Sequence, residues 1–247
     1  MIEIRAHGPV QVMTLSSGSV NAMDVELLEE LTLAVRDLER SGAGALVVTG
    51  AGRAFSAGVD LTRVVEGGAG YTDRLVPALS EAFEAVFCYP GPTVAAINGA
   101  AIAGGCVLAC ACDRRLIGPD AQIGASEVRV GVPLPVAALE VMRYACGDRA
   151  EEVLLGGRTH RGSDAVAARL AHRIVADDLV GAAVEEASDV GAIPVAAYRH
   201  TKTRLRAPTM ARIRAAADVD GEVRQMWRAE ETLRSLAAYV ERLKRRG

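Results

Sequence analysis

Aromatic side chains are scarce: one tryptophan, five tyrosines and three phenylalanines make up 4% of the 247 residues. Rings that stack bases are few, and 28 Lys and Arg against 31 Asp and Glu leave a net charge of -3, which offers phosphate backbones no general attraction. No nucleic-acid partner is expected. Cysteine is sparse as well. Cys88, Cys106, Cys110, Cys112 and Cys146 are an odd number of thiols in a chain long enough to need no staples, and the opening MIEIRAHGPVQVMTL carries Glu3 and Arg5 where an export signal places its apolar stretch. No Arg- and Ser-rich transit pattern stands there either, so the expectation is a cytoplasmic protein with reduced thiols. An unbroken apolar span is also missing. The uncharged residues 93–112 are interrupted by Asn98-Gly99 and Gly104-Gly105 and are mostly small, which fits a buried strand, turn and helix better than a membrane crossing.

Apolar residues at 50% and charged residues at 24% are ordinary globular usage, and the length suits one large domain or two small ones. The compact apolar run at 45–50 and the segments 10–15, 94–98 and 114–117 read as strands, and segments of helical spacing separate them: Val25, Leu28, Leu31, Val35 and Leu38 behind a cap at Asp24, then residues 75–87, then a helix opening near Gly104. Strands joined by such long crossovers predict a parallel sheet in an α/β domain. The segment GAGRAFSAGVDL shows no helical period and reads as a loop, and residues 66–70 read as a flexible patch. After Gly131 the pattern is mostly helical, at 136–144, 150–155, 163–171 and from Leu179 onward, with only the short apolar RIV at 173–175 between. No internal repeat is evident.

From about Pro194 the chain is helical and dense in positive charge (Arg199, Lys202, Arg204, Arg206, Arg212, Arg214, then Lys244, Arg245 and Arg246), which reads as a solvated face or as an anion or partner surface. No linker sets it apart, so it is expected to pack on the first part or on another subunit.

Two glycine-rich loops follow apolar strands. Gly50-Ala51-Gly52-Arg53-Ala54-Phe55 has Phe55 where a dinucleotide fingerprint needs its third glycine, and Gly99 to Gly105 continues into Cys106 without the Lys and Ser or Thr of a phosphate loop. Both nucleotide readings fail. Ser56-Ala57-Gly58 and Ala103-Gly104-Gly105 serve either as tight turns or as bare main-chain donors, the second at the positive end of a helix; two such donors make an oxyanion hole. Asp60 reads as the cap of the helix beginning at Leu61. Cys106, Cys110 and Cys112 cluster on one helix, but Cys112 lies off the face of the other two and no histidine is near, so they read as small buried hydrophobes and no metal site is expected. A Gly-x-Ser-x-Gly elbow is missing, and His7, His160, His172 and His200 share no motif. Glu127 stands between apolar neighbours; an acid held in such a pocket has a raised pKa and can shuttle protons near neutrality.

VNAMD at 20–24, LVVTGAGRAFSAGVDL at 46–61, PTVAAINGAAIAGGCVLACACDRRL at 92–116, IGASEVRVGVP at 123–133 and GRT at 157–159 together resemble the crotonase, or enoyl-CoA hydratase/isomerase, family. The pairing of AFSAGVDL with INGAAIAGGC some forty residues later is the specific part. The resemblance implies an α/β fold, a spiral of β-β-α units over residues 1–193 that holds the CoA and catalytic site, followed by a helical trimerisation region over 194–247, with homotrimers or dimers of trimers. It implies an acyl-CoA thioester as the substrate, with coenzyme A part of that substrate and no separate cofactor. By position, Ala57 and Gly104 are similar to the family's two oxyanion donors, and Ala57-Gly58-Val59-Asp60 would border the pantetheine. Hydratases of the family carry two glutamates, whereas this chain has Val107 at the first position and Glu127 at the second. Water addition needs two groups and a double-bond shift needs one shuttle, so the resemblance narrows to the 3-enoyl-CoA to 2-enoyl-CoA isomerases, with FSAGVDL, AGGC and the ending YVERLKRRG similar to the mitochondrial type. Hydrolases and dehalogenases place an aspartate after Gly131, where Val132-Pro133-Leu134-Pro135 offers none. The alternatives are an enoyl-CoA hydratase and a non-catalytic acyl-CoA-binding homologue. Arg53, Lys202 and Lys244 are candidates for the CoA phosphates.

Overall fold

The computed structural model describes residues 1–42 and 44–245, with Lys244 described through its backbone alone. The chain opens with β1 (Ile2–His7), antiparallel to β2 (Val10–Leu15). Helix α1 (Val25–Arg40) follows; the Asp24 carboxylate accepts the Leu27 N–H at 2.8 Å as its cap, and Val25, Leu28, Leu31 and Val35 form its buried stripe. A strand-strand-helix unit then runs three times. It consists of β3 (Ala45–Gly50), β4 (Ala54–Ser56) and α2 (Leu61–Cys88), then β5 (Thr93–Ile97), β6 (Ala100–Ile102) and α3 (Gly104–Ala111), then β7 (Arg114–Ile117), β8 (Gln122–Gly124) and α4 (Glu127–Val130). The rest is α5 (Val136–Cys146), α6 (Ala150–Gly156), β9 (His160–Arg161), α7 (Gly162–Ala167), β10 (Arg173–Ile174), α8 (Leu179–Gly191), α9 (Val195–Ala215), α10 (Val219–Arg228) and α11 (Glu230–Lys244).

The first strand of each unit enters one sheet, ordered β1-β2-β3-β5-β7-β10, and the second strand enters another, ordered β4-β6-β8-β9. Pairing along β2-β3-β5-β7 is parallel, as the long crossovers predict. The period of two along each strand decides which core a side chain joins. Val10, Val12, Ala45, Val47, Val94, Ala96 and Leu116 pack against Ala183 and Ala187 of α8, while Met13, Leu15, Leu46, Val48, Ala95, Ile97 and Ile117 face the main core with α1, α2 and α3.

Four strand and helix expectations change. The loop expected over GAGRAFSAGVDL contains β4, and the repeat invisible in the sequence is the strand-strand-helix unit itself, whose second strands are three residues each and too short to show an alternation. β1 was not anticipated. Helix α2 begins at Leu61, as the Asp60 cap predicts, but runs on to Cys88 in place of a separate helix from residue 75; the glycine patch read as flexible holds its kink, with Gly68 at φ 56°, ψ -144°.

The positive charge of α9 is not all solvated. Lys202 and Arg206 are buried and close on Asp113, with Lys202 Nζ 2.7 Å from Oδ2 and Arg206 Nη2 2.6 Å from Oδ1; the Tyr198 hydroxyl and the Thr93 N–H donate to Oδ2 at 2.9 and 2.8 Å. Burial alone would raise the Asp113 pKa, but the Lys202 and Arg206 charges outweigh it and hold the carboxyl below its ordinary range. This cluster docks α9 onto the starts of β5 and β7 in the same chain.

Removing Asp113 leaves two buried cations without their counter-charge. Asp113→Ala is expected to lower unfolding free energy by about 3 to 5 kcal/mol, read from the guanidinium midpoint; a loss within about 0.5 kcal/mol would show that the cluster contributes no net stability.

Candidate active site

The first turn, Ala57 to Asp60, is fastened to the segment before α1. Asn21, fully buried, donates from Nδ2 to the Ala51 and Ala54 carbonyls at 3.0 and 2.8 Å, and Ser56 Oγ donates to the Asn21 carbonyl at 2.7 Å. The Ala57 N–H donates to Val20 O at 3.0 Å, the Gly58 N–H to Ser56 Oγ at 3.2 Å, and the Asp60 N–H to Met23 O at 2.9 Å. The expectation of Ala57 as the first oxyanion donor is therefore corrected: its N–H already has a carbonyl. Of the N–H groups from Ala57 to Asp60, the one left without a protein acceptor among the described residues is that of Val59.

The second turn meets the first. Gly58 sits at φ +85°, and a Cβ built there would lie 2.6 Å from Ile102 O and 3.3 Å from Gly104 N, so only glycine permits this approach. Ala103, the residue preceding α3, is held at φ 51°, ψ -122° by its N–H donating to Gly124 O at 2.8 Å, and it has no capping side chain. This positive φ in a non-glycine residue is a local strain of order 1–3 kcal/mol. The Gly104 N–H, first in α3, is one of the orphan donors of a helix start and adds the positive end of the dipole.

Both turns line a cavity of about 290 Å³ together with Ala22, Phe83, Glu127 and Trp227. Glu127 opens the short α4, and its main-chain carbonyl accepts the Gly131 and Val132 N–H groups at 3.0 and 3.1 Å, which fixes the turn. The residue is 7% exposed, and its Oε2 is buried with no hydrogen-bond partner among the described residues. Burial pushes its pKa up to about 7, against a smaller opposing effect of its own backbone N–H. Asp60 also borders the cavity but spends Oδ1 on the Thr62 and Arg63 N–H groups at 3.0 and 3.2 Å, the capping role its position predicts. Val107 is fully buried in the core and takes no part in the cavity wall.

The other candidates separate. Lys202 is ruled out as a ligand of CoA phosphate here, since its ammonium bonds Asp113 and Gly91 O, both at 2.7 Å. Arg53 is exposed, and the side chain of Lys244, like the whole of Arg246, lies outside the described residues. Cys106, Cys110 and Cys112 are buried, and no group of three potential metal ligands occurs among the described residues. Sequence reasoning missed Trp227 of α10 and Tyr239, Val240 and Leu243 of α11, which close the cavity from about a hundred residues downstream. Their helical spacing marks a buried face but not which core they join. No helix of the described residues is long and apolar enough to cross a membrane.

Residues 5–246 match the family model described as enoyl-CoA hydratase/isomerase. A relative from Thermus thermophilus, named provisionally as an enoyl-CoA hydratase, is 39% identical over 75% of this chain and 73% of its own length. Human enoyl-CoA delta isomerase 1, mitochondrial, is 28% identical over 99% of this chain and 83% of its own. The crystal structure of human mitochondrial delta3-delta2-enoyl-CoA isomerase superposes with a TM-score of 0.93 at 27% identity, covering 99% of this chain and 98% of that one.

A carboxyl whose pKa is raised on folding binds its proton more tightly in the native state, so its contribution is full below the unfolded pKa of about 4.3 and is lost as pH rises through about 7. Glu127→Gln, neutral throughout, is expected to match the parent near pH 4 and to exceed its unfolding free energy by on the order of 3 kcal/mol above pH 8. Parallel denaturant curves at the two pH values check this; a constant difference would mean that Glu127 titrates normally.

Proposed function

The chain belongs to the enoyl-CoA hydratase/isomerase family and has the crotonase fold, and on that premise we propose that it moves a double bond of an enoyl-CoA from C3 to C2. The thioester oxygen is held by the Val59 and Gly104 N–H groups. Glu127, ionised, takes a C2 proton; the charge spreads through the dienolate onto the thioester oxygen; the same carboxyl returns a proton to C4. Donors already fixed before the charge develops need not reorganise, and each is worth roughly 3 to 4 kcal/mol in such a site.

The observation that carries this reading is the solitary acid. Among the described residues lining the cavity, Glu127 is the carboxyl with an unpartnered oxygen, while the position where a second glutamate would stand holds Val107, sealed in the core. One shuttle suffices for a 1,3-proton shift. Addition of water asks for a second group to orient and deprotonate it. The identity to the Thermus relative favours hydration as the second reading, and a direct comparison of substrates separates the two.

Assembly as a trimer or a dimer of trimers belongs to the same reading. Val195 and Leu205 of α9 remain 67% and 61% exposed in the single chain, a surface suited to another copy.

Isomerisation of 3-hexenoyl-CoA is expected to exceed hydration of crotonyl-CoA by at least about 100-fold in kcat/KM, the order of a general base's contribution; the reverse order would assign the hydratase reading. Glu127→Gln should retain acyl-CoA affinity while kcat drops by about 100- to 10,000-fold. Because the working form is the carboxylate, kcat/KM of the parent should climb with pH and level off above about pH 7.

A further inference from the structure

We propose that Trp227 decides which acyl chains this site takes: unsubstituted aliphatic chains of limited length, ended by the indole of α10. The inference rests on the acyl-CoA reading above. Six of the residues lining the cavity, Leu79, Phe83, Val132, Leu134, Ala138 and Trp227, form an apolar stretch of wall with no charge or hydroxyl, while Thr62, Ser126 and Tyr239 border the cavity as well. A hydroxyl or carboxylate on the chain would be buried there without a partner, which disfavours such substrates.

The direction of the chain follows from α2. A Cβ on Gly104 would lie 3.7 Å from the Phe83 ring, so Phe83 begins the apolar wall beside the donor. Leu79, one helical turn earlier on the same face, continues it toward α10, whose Asp220 Oδ2 receives the Ser80 hydroxyl at 3.5 Å.

Helix α10 is anchored at both ends. Asp220 Oδ1 accepts the Val136 N–H at 2.8 Å and so caps α5, where Pro135 offers no side chain for that purpose. The Trp227 indole N–H donates to Pro133 O at 2.8 Å, and the residue is 2% exposed. These bonds bracket Pro133 to Val136, the segment just after the Glu127 turn. The ring has spent its one polar atom and is fixed in place as a wall.

Trp227 is the sole tryptophan, so its emission reports on the wall directly. The wild-type protein is titrated with CoA and with butanoyl-, hexanoyl-, decanoyl- and hexadecanoyl-CoA, following affinity and tryptophan fluorescence. Affinity should rise by up to about fourfold per methylene buried and then stop rising, and emission should shift only from the chain length at which it stops. Trp227→Ala should move that limit to longer chains and raise the ratio of hexadecanoyl- to hexanoyl-CoA affinity by at least about tenfold, less than two methylenes' worth. Trp227→Phe, which keeps a ring, should leave the limit within one step of the series. An affinity that climbs through hexadecanoyl-CoA in the wild type, an emission shift as large with CoA as with acyl-CoA, or an equal loss for every chain in Trp227→Ala would overturn the assignment. Saturated acyl-CoAs cannot isomerise, so the series is independent of the double-bond chemistry; failure of every acyl-CoA to bind would instead defeat the acyl-CoA reading itself.

Discussion

Two main-chain turns approach each other more closely than any side chain at Gly58 would allow, and the site depends on that approach. A methyl group at Gly58 would collide with Ile102 O, and one at Gly105 would lie 2.3 Å from Ser56 O. The glycines hold the strands β4 and β6 in parallel contact right up to the point where each chain turns away. Around this contact the N–H groups of Ala57, Gly58 and Asp60 are consumed by Val20 O, Ser56 Oγ and Met23 O, and those of Val59 and Gly104, both on the cavity wall, are left over. These two amides are the donors of the proposed oxyanion hole.

The acid works under the opposite condition. Where the donors sit on rigid backbone with their geometry set by the sheet, Glu127 is placed in an apolar wall with an oxygen that nothing satisfies. That arrangement is costly for a carboxylate, and it is the same cost that brings its proton affinity near neutrality. The sheet face packed on α8 and the Asp113 cluster are separate from this wall, and none of their residues lines the cavity.

How much of this could be read from the sequence follows from how local each signal is. β3 and β5 were legible because a strand buried on both faces is a compact, uncharged and largely apolar run. β4, β6 and β8 were not, since three residues carry no periodicity and their pairing is decided by partners far along the chain. Glu127 stood out as an acid amid apolar neighbours. The Ala57 amide read as a free donor is spent on Val20 O, because composition shows that a segment lacks bulk but not which of its amides faces which side. Lys202 was misjudged for a related reason: a basic helix looks alike whether its cations meet water or a buried aspartate ninety residues upstream. Trp227 contributes through tertiary packing alone.

The walls of the cavity are drawn from Val20 through Leu243, nearly the whole polypeptide. During synthesis the turns around Gly58 and Gly104 emerge well before α10 and α11. Until they do, the apolar lining left by Phe83, Leu134 and Ala138 lies uncovered, a sticky surface that a nascent chain must shelter. An incomplete translation product would thus possess the donors and the acid and yet have neither a closed chamber nor a masked greasy face, which makes it a natural client for chaperones and proteases.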